Sequence, residues 1–298
     1  MSEENKKKLG EQLIRCILDD KLDKDVKLRK MDYIIKMGAD IDARHEFGYS
    51  VLSLAKMMQN DEVIKFLEER GADKDFGFDR KKAEDFFKTA SIEEINKVLK
   101  VLPDGYMLMC DVNLNNRGLE KLPDFSRLVV GGNFNCQYNE LETLKGAPRE
   151  VGELFICQYN QLTSLEGASS KVGGTFVCSF NNLTSLKGAP REVGGDFYCQ
   201  CNQLKTLEGA PKEVKRSFNC YGNQLTTLRG APSIVGGGFY CFDNQLISLE
   251  GSPSIVGGDF VCYDNPLKSY KGKPDKIGGK FVAPKIEQVN NINAGNSR

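Results

Sequence analysis

Seven cysteines, Cys136, Cys157, Cys178, Cys199, Cys220, Cys241 and Cys262, follow one another in an unbroken 21-residue period. Each sits in one frame, V-G-G-x-F-x-C-x-x-N-x-L-x-x-L-x-G-A-P, with small departures. This period constrains the fold more than any other feature of the chain. A unit so short cannot bury an apolar face alone, so it must stack on its neighbours as one coil of a solenoid.

The frame predicts how a coil is built. A short strand, Phe197-Tyr198-Cys199 in one copy, sends Phe and Cys inward and the residue between them outward. The asparagine column, Asn139, Asn160, Asn181, Asn202, Asn223, Asn244 and Asn265, falls where the chain leaves the strand. A buried amide there must be satisfied by the backbone of its own and adjacent coils. Leu204 and Leu207 return inward, and Gly209-Ala210-Pro211 brings the chain round without a helix. The glycine pair before each strand is expected to supply positive φ and close backbone approach. Parallel strands in this register form one continuous sheet on one side. A three-sided β-helix, the competing fold, requires three alternating β-branched segments per coil, and the Gly-Ala-Pro side carries none.

The cysteine column reads as a ladder of reduced, buried thiols in a cytoplasmic protein, since cysteine fills a small apolar site well. A single file of thiols offers no tetrahedral zinc pocket, and a disulfide framework is the weaker alternative. Cys201 is the one repeat cysteine outside the inward column and the thiol expected to react.

Residues 1–103 carry helical periodicity instead, with Leu9, Leu13, Ile14 and Ile17, then Met31, Ile34 and Ile35. Helices are expected near 4–19, 25–37, 80–89 and 92–102, and Ser91-Ile92-Glu93-Glu94 fits a capping box. Gly38-Ala39-Asp40 recurs as Gly71-Ala72-Asp73, a separation equal to the ankyrin unit of about 33 residues. That passage resembles the ankyrin repeat, departing from it where Ser50-Val51-Leu52-Ser53 replaces Thr-Pro-Leu-His. A turn at Pro103-Asp104-Gly105 ends the helices. The first coil follows, one residue longer than the rest, with Val112, Leu114 and Arg117 at the Phe, Cys and Asn positions. Phe281 opens a last strand, and the Asn-rich tail 284–298 is expected to be disordered.

Over residues 111–283 the frame resembles the leucine-rich repeat L-x-x-L-x-L-x-x-N-x-L, with Val, Phe and Cys in the first three Leu positions. Its helix-poor coil is similar to the compact repeats of bacterial secreted effectors and phage-borne chains. The expected fold class is therefore a multidomain α plus β solenoid. An ankyrin-like helical domain (1–103) precedes a leucine-rich repeat solenoid (104–283) with a parallel β-sheet on one face.

Both resemblances imply a non-catalytic module that binds a protein partner on the sheet face. The alternative is a bacterial or phage effector or inhibitor acting on host proteins, and a glycan-binding surface adhesin comes third. Packing fixes the inward columns, so partner binding is assigned to outward ones: Ile156, Val177, Tyr198 and Tyr240 between Phe and Cys, Tyr221, Phe242 and Tyr263 after Cys, and Tyr138, Tyr159 and Phe180 one further on. This aromatic stripe begins in one column and shifts to its neighbour halfway along. Tyrosine-rich, weakly charged surfaces suit protein interfaces, and the same rings could equally serve only to stack coil on coil. Lys215-Arg216 in place of a glycine pair, and Glu153-Leu154 in another copy, read as drift in tolerant turns.

Other classes fit poorly. Lysine plus arginine equals aspartate plus glutamate at 41 each, which gives no reason to expect nucleic acid. No apolar run approaches the roughly 20 residues of a membrane helix, and the N-terminus lacks a secretory apolar region. The sole histidine, His45, leaves no Ser/His/Asp or Cys/His set to assemble. Asp75-Phe76-Gly77 lacks the other kinase motifs, and no lysine and helix start complete the glycine pairs as phosphate cradles. No cofactor, metal or catalytic residue is expected.

Overall fold

The computed structural model describes residues 2–19, 21–44, 49–58, 60–73, 79–100, 102 and 104–286. His45, Asp75-Phe76-Gly77, Pro103 and all of the tail beyond residue 286 lie outside the described residues.

Among the described residues six helices come first: α1 (Glu3–Leu18), α2 (Lys24–Lys36), α3 (Val51–Met57), α4 (Asp61–Glu69), α5 (Arg80–Thr89) and α6 (Ile92–Leu99). Each begins on a short polar residue, Ser2, Asp23, Ser50, Asn60, Asp79 or Ser91, whose side chain accepts a first-turn backbone N–H. These caps satisfy donors that no helix can satisfy internally. Ser91 and Glu94 form the full reciprocal box. Leu13, Ile14, Ile17, Met31 and Ile34 are buried, while Leu9 and Ile35 are half-buried. Helices α2 and α4 end alike, each at one of the two Gly-Ala-Asp triplets: Gly38 and Gly71 take positive φ, and Ala39 and Ala72 donate to Ile34 and Leu67 carbonyls. A glycine in this conformation closes a helix without a Cβ clash.

From Met107 to Val282 the chain is a parallel β-solenoid with a 21-residue period, built from two-residue strands. In chain order these are β1 (Met107–Leu108), β2 (Val112–Asn113), β3 (Val129–Val130), β4 (Phe134–Asn135), β5 (Glu150–Val151), β6 (Phe155–Ile156), β7 (Lys171–Val172), β8 (Phe176–Val177) and β9 (Glu192–Val193). They continue as β10 (Phe197–Tyr198), β11 (Glu213–Val214), β12 (Phe218–Asn219), β13 (Ile234–Val235), β14 (Phe239–Tyr240), β15 (Ile255–Val256), β16 (Phe260–Val261), β17 (Lys276–Ile277) and β18 (Phe281–Val282). The chain divides into two compact units, Met1–Gln161 with Glu166–Gly174, and Leu162–Leu165 with Thr175–Arg298.

In the first unit β2, β4 and β6 pair in order, as do β1, β3, β5 and β7. The helices and the first coils are joined here. Phe87 of α5 packs on Phe125, and Phe125 on Phe134, with ring centroids 5.9 and 5.4 Å apart. Arg127 donates to the Leu99 and Leu102 carbonyls at 2.7 Å each, closing the end of α6. Arg117, at the position other coils give to asparagine, donates to the Phe87 and Ala90 carbonyls at the end of α5. The buried Tyr49 hydroxyl donates to Met107 O and accepts from Met109 N. The atypical first coil is thus shaped to receive helices rather than another coil.

In the second unit β8, β10, β12, β14, β16 and β18 form one ladder. Phe197, Phe218, Phe239 and Phe260 stack inside it with centroids 5.2 to 5.5 Å apart. At the last coil Tyr270 takes a leucine position and meets Phe281 edge-on at 5.3 Å, and Lys273 Nζ lies 4.3 Å from the same ring. These two side chains pack against the terminal Phe.

The structure departs from the sequence reading in two respects. Each coil carries a second strand, just after the Gly-Ala-Pro turn, so a second parallel ladder runs beside the expected one. Its signal is a lone inward valine, Val151, Val172 or Val214, too short to show alternation. Positive φ falls not on the glycine pairs but on the Gly of Gly-Ala-Pro, as at Gly209 (φ 95°). The pairs serve close approach alone: a Cβ on Gly257 would stand 2.1 Å from the Gly236 carbonyl oxygen. Where Lys215-Arg216 replaces a pair, the second ladder is interrupted between β9 and β11. The two coils stay in contact there, with the Arg216 backbone N–H donating to Gly195 O at 3.3 Å.

Candidate functional site

Buried columns fix where the outward ones lie. Every cysteine of the ladder is fully buried, and none of the ten cysteines forms a disulfide. Burial pushes the Cys136, Cys199 and Cys262 thiols far up. The asparagines are more than nine-tenths buried and fully engaged. Asn160 Nδ2 donates to Cys136 O and Cys157 O at 3.0 and 3.1 Å, and its Oδ1 accepts from Leu141 N at 3.1 Å. Asn223 repeats this in the second unit with Cys199 O, Cys220 O and Leu204 N. Each amide joins its own coil to the one before it.

One residue before each asparagine the backbone is left-handed. Asn116, Tyr138, Tyr159, Phe180, Cys201, Asp243 and Asp264 have φ between 50° and 55°, and Gly222 has 63°. The turn tightens the exit from the strand, so its side chain projects from the rim. The repeat frame carried no sign of this, because aromatic residues rarely adopt positive φ; only Asn116, Gly222, Asp243 and Asp264 in the same column hinted at it.

The sequence-assigned residues fall into two aromatic groups and a set of strand positions. In the first unit Tyr138 and Tyr159 stack 4.6 Å apart at an interplanar angle of 6°, with Tyr138 49% exposed. In the second, Tyr221, Phe242 and Tyr263 stack at 4.5 and 4.7 Å, each 10° from parallel. Here the aromatic column has moved one residue back, off the left-handed position, which passes to Gly222, Asp243 and Asp264. Phe180 is 37% exposed. Ile156, Val177, Tyr198 and Tyr240 are half-buried on the strand face. Burial, with the Asp196 carboxylate beside it, pushes the Tyr198 phenol up. Cys201 is the one cysteine that is not buried.

Among the described residues no group of three or more His, Cys, Asp and Glu could hold a metal ion, and no helix is long and apolar enough to cross a membrane. Two shallow depressions of about 280 and 340 Å³ lie on helical residues, one beside Lys24 and Lys27 and one beside Arg15 and Lys30. No protein-family model matches the chain, and no curated protein sequence matches it.

Proposed function

We propose that this chain is a non-catalytic protein-binding module that holds its partner on the outward side of the Phe-x-Cys strands and the rim beside them. The carrying observation is the left-handed conformation of exposed Tyr138, Tyr159 and Phe180. Turn geometry alone is met without strain by glycine, asparagine or aspartate, which the same column uses elsewhere. Holding a bulky residue there costs roughly 1–3 kcal/mol, which a ring pair offsets by about 0.5–1.5 kcal/mol. A glycine, asparagine or aspartate would hold the turn without presenting a ring, so the rings are read as kept for a partner.

The finer likenesses support the same reading. Inward Phe, Cys and Leu with a satisfied asparagine ladder resemble the leucine-rich repeat. Two helix ends at the recurring Gly-Ala-Asp triplets, with an antiparallel bridge between Arg44 and Ser50 at the base of the intervening finger, resemble the ankyrin repeat. Both families are used for protein binding, although a fold alone does not assign a function. A cytoplasmic setting fits ten cysteines without a disulfide.

The test is affinity capture from cells that make the protein, comparing the natural chain with Tyr198→Ala/Tyr240→Ala. Loss of one or more captured proteins by a variant with an unchanged circular dichroism spectrum is expected. An identical set of captured proteins would refute the reading.

A further inference from the structure

The second unit adds a charge pattern that the whole-chain balance conceals. Between Ser217 and Asp264 the chain carries four carboxylates, Asp243, Glu250, Asp259 and Asp264, against one basic side chain, Arg229. Arg229 is engaged by Glu208 at 3.0 Å. Two of the carboxylates are also engaged. Glu250 pairs with Lys271 at 2.6 Å, and Asp259 Oδ1 accepts the Lys280 backbone N–H at 2.7 Å. Asp243 and Asp264 remain, both exposed, both at the left-handed rim position, and each directly following a ring of the Tyr221, Phe242, Tyr263 stack.

From this arrangement we infer that the rim of the second unit receives an arginine-bearing segment of the protein partner. The inference rests on the protein-binding reading above and names the chemistry of its partner. Stacking occupies ring faces between neighbours, so the stack offers mainly ring edges and an apolar wall. A long aliphatic stem can lie along that wall. A planar guanidinium at its end can bond a carboxylate through two parallel N–H donors, which an ammonium cannot do. Asp243 and Asp264 occupy equivalent positions in successive coils, so an extended segment with arginines on one side can meet both. An acidic segment would meet the two exposed carboxylates, while the bases that flank this stretch, Lys215, Arg216 and Lys268, fall in other columns of the repeat.

Fluorescence anisotropy on the full chain, with fluorescein-labelled nona-arginine and nona-lysine peptides at low salt, tests this. The comparison variant is Asp243→Asn/Asp264→Asn, which removes the charge and keeps residues that tolerate positive φ. Saturable binding of nona-arginine is expected, at least tenfold weaker in the double variant and at least threefold tighter than nona-lysine. Absent binding, a change of less than twofold in the double variant, or equal affinity for nona-lysine would overturn the inference. If the peptides fail while Tyr198→Ala/Tyr240→Ala still loses its captured protein, the arginine inference falls and the protein-binding reading stands.

Discussion

At the scale of the residue, Cys201 is set apart from the seven ladder cysteines by its place in a left-handed turn on the rim. The ladder thiols point into the core, where burial disfavours the thiolate. Cys201 sits on the rim in a left-handed turn, and partial burial raises its thiol above the ordinary value, with Tyr221 acting the other way and Asp243 adding to it. Alkylation requires the thiolate, so iodoacetamide should modify Cys201 alone in the folded protein. The rate should be low near neutral pH and should still be climbing at pH 9, where an ordinary thiol is half ionised. Mass spectrometry of the native and urea-unfolded chain checks this; modification of Cys199 or Cys220 at a comparable native rate would contradict the burial assigned to the ladder. The thiol ladder and the asparagine column were both legible in the sequence because packing and amide satisfaction demand the same residue in every coil. The left-handed rim was not, since Tyr138, Tyr159 and Phe180 violate the preference that would have announced it.

At the scale of the element, glycine pairs and alternating charges hold coils in register. A Cβ at Gly257 would collide with the Gly236 carbonyl at 2.1 Å, a backbone atom that cannot move without shifting its coil. Gly257→Ala should therefore cost roughly 1–3 kcal/mol, as overpacking of a tight contact does, and should lower the urea midpoint. An unchanged midpoint would show that the ladder can spread at this point. The natural counterpart is Lys215-Arg216, at the interruption between β9 and β11. The corner position Lys145, Glu166, Lys187, Glu208, Arg229, Glu250, Lys271 alternates in sign along the sequence, and Arg229–Glu208 and Lys271–Glu250 are ion pairs in the second unit. Exposed pairs of this sort add little stability, but a slip by one coil would set like charges together. Helix positions were readable from capping residues and helical spacing. The second strand was not, because two residues with one inward valine give no period to detect.

At the scale of the whole molecule, the balance of 41 basic and 41 acidic side chains hides local patterns, an acidic aromatic rim before a lysine-rich last coil with Lys268, Lys271, Lys273, Lys276 and Lys280. Net charge is therefore a poor guide to partners in a repeat array, where each coil presents its own surface. On the proposed function the rim aromatics are kept for a partner and not for the fold. Tyr138→Asn/Tyr159→Asn separates the two roles, since asparagine keeps the left-handed turn while the stack is removed. Relieved backbone strain of about 1–2 kcal/mol at each of the two positions should be offset by the lost stacking, about 0.5–1.5 kcal/mol, together with the lost contact of two partly buried rings. The decisive measurement is partner capture by this variant alongside its urea midpoint. A midpoint close to that of the natural chain with captured protein lost is expected; a clearly lowered midpoint while capture persists would show that the rings serve the stack alone.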